Sequence, residues 1–189
     1  WYKKFRNMKN IIFIMDVDLQ GSTHESLAHR YSDSRRAPYK YSINSWEKWA
    51  TKNNAEVFIL NDALMPNKDM GICWQRYYLF DILEANNIEY CPNFFEMTER
   101  KFTGVHCDAS YDWVCRSIEN YSRYAFNGFM SKFYNYIDCG FMVVNKQHKD
   151  FFNQIVSFYH QNSKNLRKIE TTFHVGTDQT PVNMLIERE

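Results

Sequence analysis

The first half of the sequence alternates between apolar runs of strand length and segments with helical periodicity. Residues 11–15 and 57–60 are short, continuous apolar runs of the kind typical of buried strands. Apolar side chains recur at helical spacing in residues 42–54 and again in residues 72–87. Because strands that alternate with helices predict a parallel sheet with right-handed crossovers, we expect an α/β fold. The expected architecture is one domain with a mostly parallel sheet and helices on both faces.

The remaining segments extend this prediction to the end of the sequence. Residues 21–36 are polar and lack periodicity, so they predict a loop. Further elements are predicted as strands at residues 102–106 and 140–145 and as helices at residues 111–126, about 151–159 and 178–187. Pro181 fits the last helix because it falls in the first turn, where a missing N–H has little effect.

The alternation breaks after residue 87, where another buried strand is due. The chain offers only Ile88-Glu89-Tyr90 before Cys91-Pro92, and this stretch is too polar and too short for a buried strand. We therefore expect that a segment is missing at the junction of residues 90 and 91. Peptide mapping across this junction tests that expectation.

Composition narrows the class of protein. The chain has 23 basic and 22 acidic residues without a basic stripe, so we expect no nucleic acid partner. No apolar run approaches the ~20 residues of a membrane span. The five cysteines are odd in number and form no Cys-x-x-Cys pair, which favours a reducing compartment, and we expect a cytoplasmic protein. Residues 1–7 precede Met8 and are interpreted as a leader or an upstream remnant, and we expect a truncated C-terminus.

Two short motifs in the second half carry the strongest functional signal. Asp138-Cys139-Gly140 leads into an apolar strand, and Thr177-Asp178-Gln179 opens the last helix. In this order and spacing they resemble the second half of a GT-A-type glycosyltransferase, the class that uses nucleotide sugars.

That resemblance implies a reaction and a set of residues. A sugar would pass from a nucleoside diphosphate donor to a glycan, protein or small-molecule acceptor, with Mn²⁺ or Mg²⁺ neutralising the leaving diphosphate. Asp178, Gln179 and Asp138 would be the catalytic residues, and Cys139 and Gly140 would line the sugar pocket. Gly140 would let the backbone approach the sugar. Asp138 departs from the commoner Asn, but its carboxylate can still accept a hydrogen bond from a sugar hydroxyl.

Asp16-Val17-Asp18 directly follows the first apolar run. Ligands of parallel α/β sheets bind at the carboxyl ends of strands, and two carboxylates at this spacing can also hold a divalent cation. In the resembled family the end of the first strand lines the nucleotide pocket, and the metal motif comes later. Asp16 and Asp18 are therefore candidates for nucleotide binding, weaker candidates for metal binding, or members of a plain turn.

Two arginines are candidates for contacts with the diphosphate. Arg36 lies on the predicted loop after the first strand, and Arg76 resembles the basic residue that the family places on the helix before its metal strand. A solvated loop and an ordinary surface position on a helix are the respective alternatives.

Two other functions remain open at this point. A glycosyltransferase fold without its metal strand could serve as a non-catalytic nucleotide-binding or scaffold domain. Phosphatases of the haloacid dehalogenase type also open with an apolar strand and Asp-x-Asp, so Asp16 and Asp18 would be nucleophile and acid in that reading. That family usually continues with Gly-Thr or Gly-Val, whereas this chain continues with Leu19-Gln20.

Overall fold

The structure is a computed structural model that describes residues 11–17, 33–53, 55–66, 68–83, 98 and 101–188, with side chains in the second range described from residue 41. The chain divides into two compact units, Trp1–Glu99 and Arg100–Glu189, which we call the N-terminal and C-terminal units. Each is described by itself. The junction of residues 90 and 91 lies outside the described residues. No described helix is both long and apolar enough to cross a lipid bilayer.

The N-terminal unit is built on a pair of parallel strands. Strand β1 (Ile11–Met15) pairs in parallel with β2 (Glu56–Leu60). The Phe13 and Phe58 rings stack across this pair at 5.7 Å. Helix α1 (Asp33–Lys52) lies between these strands in sequence, as a strand-helix-strand unit requires. The predicted strands and helix of this region are confirmed.

The predicted loop of residues 21–36 is wrong at its end, because α1 already begins at Asp33. Asp and Ser favour helix starts, and Arg and Ala are good helix formers, so residues 33–37 can extend the helix although they are polar. Residues 18–32 lie outside the described part of the chain.

The second predicted helix of the N-terminal unit is present but interrupted. Helix α2 (Ile72–Gln75) continues through a 3₁₀ turn (Arg76–Tyr78) into α3 (Leu79–Ile82). The buried Gln75 side chain fixes the preceding loop. It accepts a hydrogen bond from Leu64 N at 2.8 Å and donates to the carbonyls of Met65 and Met70 at 2.9 and 2.8 Å.

The C-terminal unit contains an antiparallel strand pair with a bulge. Strand β3 (Thr103–His106) pairs with β4 (Ile137–Val143). Gly104 lies opposite Met142, but its neighbour Val105 lies opposite Asp138. Cys139-Gly140-Phe141 therefore project from the ladder as a bulge, which bends the strand and redirects its side chains.

The C-terminal unit also contains three helices. They are α4 (Tyr111–Ala125), α5 (Lys149–Phe173) and α6 (Gln179–Arg188). Helix α4 packs against α5 and α6, and α6 packs against β4. The core is aromatic as well as aliphatic, and its largest fully buried side chains include Tyr121, Tyr136, Phe152 and Tyr159.

A mixed α/β fold is thus confirmed. The described strands form one two-stranded parallel sheet and one two-stranded antiparallel sheet, and a single large parallel sheet is not evident among them. The antiparallel direction of β3 and β4 departs from the predicted parallel arrangement. Hydrophobic runs identify strands but carry no information about their direction, which tertiary packing decides.

Candidate functional site

The bulge of β4 coincides with the motif Asp138-Cys139-Gly140. The Asp138 carboxylate stabilises it, because its Oδ1 accepts a hydrogen bond from Gly140 N at 2.7 Å. Cys139 is buried, whereas Gly140 is exposed. A Cβ at residue 140 would lie 3.0 Å from Asp138 Oδ1, so the glycine leaves backbone and carboxylate close together at the surface. The bulge therefore presents an exposed peptide beside a half-buried carboxylate.

The second motif forms the start of α6. Asp178 directly precedes the helix, and its carbonyl accepts a hydrogen bond from Val182 N at 3.0 Å. The Asp178 side chain is only 5% exposed, and its Oδ1 accepts a hydrogen bond from Thr177 Oγ1 at 2.9 Å. A carboxylate at a helix N-terminus is favoured by the partial positive charge of the first backbone N–H groups. Thr177 and the helix end together hold Asp178 in place.

The fold brings these two motifs into contact. The Cys139 thiol donates a weak hydrogen bond to the carbonyl of Gln179, with 3.9 Å between sulfur and oxygen. Gln179 also contacts the residue that follows β3, because its Nε2 donates to the sulfur of Cys107 at 3.1 Å. The start of α6 therefore packs on the β4 bulge through Cys139 and Gln179, which are the sequence neighbours of the predicted catalytic residues Asp138 and Asp178.

Sequence reasoning missed the residues that support this arrangement. Asn183, which is buried, donates from Nδ2 to the Gln179 carbonyl at 2.9 Å and binds the backbone of Ile137. The Tyr136 hydroxyl hydrogen-bonds Thr180 Oγ1 at 2.5 Å. An Asn four residues into the last helix was the available signal, since a polar residue on an apolar helix face needs a partner when it is buried.

Two buried tyrosines stay neutral beside the site. Tyr121 donates from its hydroxyl to the Gly176 carbonyl at 2.6 Å, which fixes the segment leading to Asp178. Burial raises the pKa of Tyr121, and the nearby carboxylates of Glu170 and Asp178 raise it further. Burial also raises the pKa of Tyr136. Both phenols therefore stay protonated at neutral pH, and Tyr121 contacts the backbone of Gly176 whereas Tyr136 contacts the side chain of Thr180.

The other predicted site residues belong to the N-terminal unit. Asp16 follows β1, and its N–H continues the strand pairing by donating to the Leu60 carbonyl at 3.0 Å. Asp16 thus lies at the carboxyl end of a parallel strand, as predicted. Asp18 falls outside the described residues. Arg36 lies in α1 rather than on a loop, and its side chain is likewise not described.

Arg76 occupies the 3₁₀ turn after α2. Its guanidinium Nε donates to the Cys73 carbonyl at 2.8 Å, and the side chain is half-buried. This hydrogen bond ties the Nε atom of Arg76 to the backbone of the preceding helical turn. A guanidinium group is well suited to binding phosphate oxygens. The predicted contact of Arg76 with the diphosphate stays a prediction.

The described part of the chain contains no ready-made set of metal ligands. No group of three or more His, Cys, Asp or Glu side chains is placed there to hold an ion. Asp16 belongs to this described part and Asp18 does not. The predicted Mn²⁺ or Mg²⁺ therefore stays a prediction.

Comparison with known proteins adds no relative to this description. No family model matches the sequence, and no match is found among curated proteins or solved structures. A functional assignment therefore depends on the site itself.

Proposed function

We propose that this protein is a nucleotide-sugar-dependent glycosyltransferase whose C-terminal unit binds the donor sugar at the β4 bulge. The observation that supports the proposal is the contact between the two motifs. They are separated along the chain, yet Cys139 and Gln179 meet through the thiol-carbonyl hydrogen bond of 3.9 Å. In the proposal the chain from residue 8 to residue 189 belongs to a GT-A-like domain with a mostly parallel sheet.

The proposed chemistry uses the two carboxylates of the site. The bond between the anomeric carbon and the diphosphate oxygen breaks, and its electron pair leaves on the diphosphate. An acceptor hydroxyl oxygen forms the new bond to that carbon, and its proton passes to a carboxylate, that of Asp138 or Asp178. Asp138 is half-buried and lies beside exposed Gly140, so a sugar hydroxyl can donate to its second oxygen.

Asp178 and Gln179 position the reacting groups in this proposal. The burial of Asp178 keeps its carboxylate away from bulk water, which strengthens its interaction with any polar group that replaces water. Mn²⁺ or Mg²⁺ would neutralise the leaving diphosphate, and no ligands for the ion are assigned. The described residues contain no group of three or more His, Cys, Asp or Glu side chains that could hold the ion. The roles given above are therefore assigned to protein side chains alone.

Calorimetric titration tests the proposal. UDP, GDP, UDP-glucose, UDP-N-acetylglucosamine and GDP-mannose are titrated with and without Mn²⁺, and release of UDP or GDP is followed during incubation with each donor. We expect at least one donor to bind and to be turned over. If none of the five binds under either condition, the proposal is wrong.

The Asp138→Ala variant sharpens this test. Because Asp138 is assigned to the sugar, the variant should bind the nucleotide sugar about tenfold more weakly and bind the free diphosphate unchanged. Asp108→Ala is the matched control, since Asp108 is exposed and follows β3. Equal weakening of sugar-bearing and sugar-free ligands would contradict the role of Asp138.

A second candidate is a non-catalytic nucleotide-binding domain. The contact between Gln179 Nε2 and Cys107 Sγ favours it, because this hydrogen bond commits the Gln179 amide to a structural contact with the residue that follows β3. Binding of a nucleotide sugar without release of its diphosphate, in the presence of varied acceptors, would select this candidate.

A further inference from the structure

Three aromatic side chains form an exposed cluster in the C-terminal unit, which we call the aromatic platform. They are Tyr111, Phe133 and Tyr134, with exposed fractions of 64%, 45% and 58%. Large aromatic side chains normally bury most of their surface, so three neighbouring exposed rings indicate a binding surface.

The platform has a defined geometry. The ring of Phe133 packs edge-to-face against Tyr111 at 4.9 Å between centroids, and against Tyr134 at 5.6 Å. Such perpendicular contacts are the favoured arrangement of aromatic pairs. The three rings therefore support one another although they face water.

The backbone beneath the platform is held at two points. Phe133 and Tyr134 belong to a 3₁₀ turn, Phe133–Asn135, and the Glu187 carboxylate of α6 binds both of its ends. Lys132 N donates to Glu187 Oε2 at 2.8 Å, and Asn135 Nδ2 donates to Oε1 at 3.2 Å. On the other side of the platform, Ser110 caps helix α4, and Tyr111 is the first residue of that helix. This preorganisation lowers the entropic cost of binding a ligand.

The platform is close to the candidate catalytic carboxylate. Tyr134 and Asp138 are four residues apart, so their Cα atoms are separated by at most about 14 Å. Val105, which lies opposite Asp138 in the strand register, is also exposed. Side chains directly opposite in a strand pair are neighbours, so apolar surface reaches Asp138 itself.

We propose that the aromatic platform binds the acceptor as a neutral glycan. The inference rests on the proposed function, and it names one of the three acceptor classes. A sugar ring has an apolar face of C–H groups that stacks on the negative face of an aromatic ring, and its hydroxyls can bind the phenol hydroxyls of Tyr111 and Tyr134.

The surroundings of the platform favour a neutral glycan over other acceptors. Its nearby charges are of both signs, with Asp112 and Arg116 forming an exposed pair at 3.6 Å, so no net field selects an ionic ligand. A stable protein interface needs about 800 Å² on each partner and roughly twenty residues, which three rings do not supply. A few sugar rings match this area.

The test measures binding of cellotetraose, maltotetraose, chitotetraose and mannotetraose by saturation-transfer NMR and calorimetry without nucleotide. We expect at least one tetraose to bind the unmodified protein. Tyr134→Ala should weaken that binding about tenfold, because it removes a ring on which the sugar stacks. Tyr134→Phe should keep most of it. Tyr41→Ala is the control, since Tyr41 is an exposed aromatic of α1 in the other unit.

The outcomes separate this proposal from the proposed function. If a nucleotide sugar binds but no tetraose does, the platform proposal is overturned and the proposed function stands. If a tetraose binds and Tyr134→Ala weakens it while no nucleotide binds, the platform is supported and the proposed function fails. If Tyr134→Ala leaves tetraose binding unchanged but abolishes self-association in sedimentation experiments, the platform is instead a contact between copies and the proposal is wrong. Circular dichroism and the melting temperature verify that each variant is folded.

Discussion

The side-chain amide of Asn183 binds the backbone of Ile137 in both directions. Ile137 N donates to Asn183 Oδ1 at 2.7 Å, and Asn183 Nδ2 donates to the Ile137 carbonyl at 2.9 Å. Both backbone groups belong to the first residue of β4, so an amide from α6 takes the place that a neighbouring strand would occupy. The amide thereby links α6 to the strand that carries Asp138.

Loss of this link should destabilise the C-terminal unit. Asn183→Ala leaves the N–H and the carbonyl of Ile137 without these partners, so we expect a loss of about 2–3 kcal/mol in the free energy of unfolding. Urea unfolding measures it. Asn120→Ala is the matched control, because Asn120 is only partly buried and its side chain donates a solvent-exposed hydrogen bond along its own helix, to the Arg116 carbonyl at 2.8 Å. A loss for Asn183→Ala as small as that of the control would show that solvent replaces the amide.

Asp178 offers a test of function that leaves the fold intact. In Asp178→Asn the side-chain oxygen can still accept from Thr177 Oγ1, so we expect the melting temperature to change little. If the carboxylate positions donor or acceptor, kcat should fall more than about tenfold with the donor identified by titration.

Asp112→Asn provides the matched comparison for Asp178, since it changes an exposed carboxylate in the first turn of α4. Activity should persist in this variant. If the Asp178 variant loses activity only in proportion to unfolded protein, the residue is structural.

The close approach of β3 to β4 gives a prediction about packing. A Cβ at Gly104 would lie 2.5 Å from Ile137 Cδ1 and 2.9 Å from Ile137 Cβ, closer than van der Waals contact allows. Gly104→Ala should therefore cost about 1–3 kcal/mol. In a double-mutant cycle the same change should cost less when Ile137→Ala has removed the outer atoms of that side chain. Additive losses would contradict the clash.

The sequence predicts the elements of this chain well where one pattern governs them. The apolar runs identify β1 and β2, and helical spacing identifies α4 and α6 within a residue or two. The strand at β4 is less accurate. It begins at Ile137 instead of residue 140, because Asp138 and Gly140 favour a turn by their local propensity.

That difference is informative about the candidate site. Asp138 is tolerated inside a strand because its carboxylate binds the Gly140 N–H within the bulge. Hydrophobic patterns in a sequence do not predict such a bulge. They also do not show that Gln179 packs against Cys139 or that Asn183 contacts β4. These contacts join residues distant along the chain, so the two motifs could be named from the sequence but their packing on each other could not be derived from it.

The N-terminus of α5 contains a histidine that is held neutral. His148 Nδ1 accepts a hydrogen bond from Asn145 N at 3.0 Å, and Asn145 Oδ1 in turn accepts from Gln147 N at 2.9 Å. Partial burial lowers the pKa of His148 below its ordinary value. Protonation would convert the accepting Nδ1 into a donor and place a positive charge at a helix N-terminus, and both effects are unfavourable.

Stability should therefore depend on pH through His148. Because its folded-state pKa lies below the unfolded value of about 6.5, the unfolded chain binds the proton first, and folding is favoured most above pH 6.5. As the pH falls from 6.5 through the lowered folded-state pKa, this contribution is lost. Urea unfolding between about pH 5 and pH 7.5 should show a shallower loss for His148→Gln than for the unmodified protein. His160→Gln, at an exposed position of α5, should retain the original slope, whereas a His148→Gln slope equal to that of the unmodified protein would assign the pH dependence to other groups.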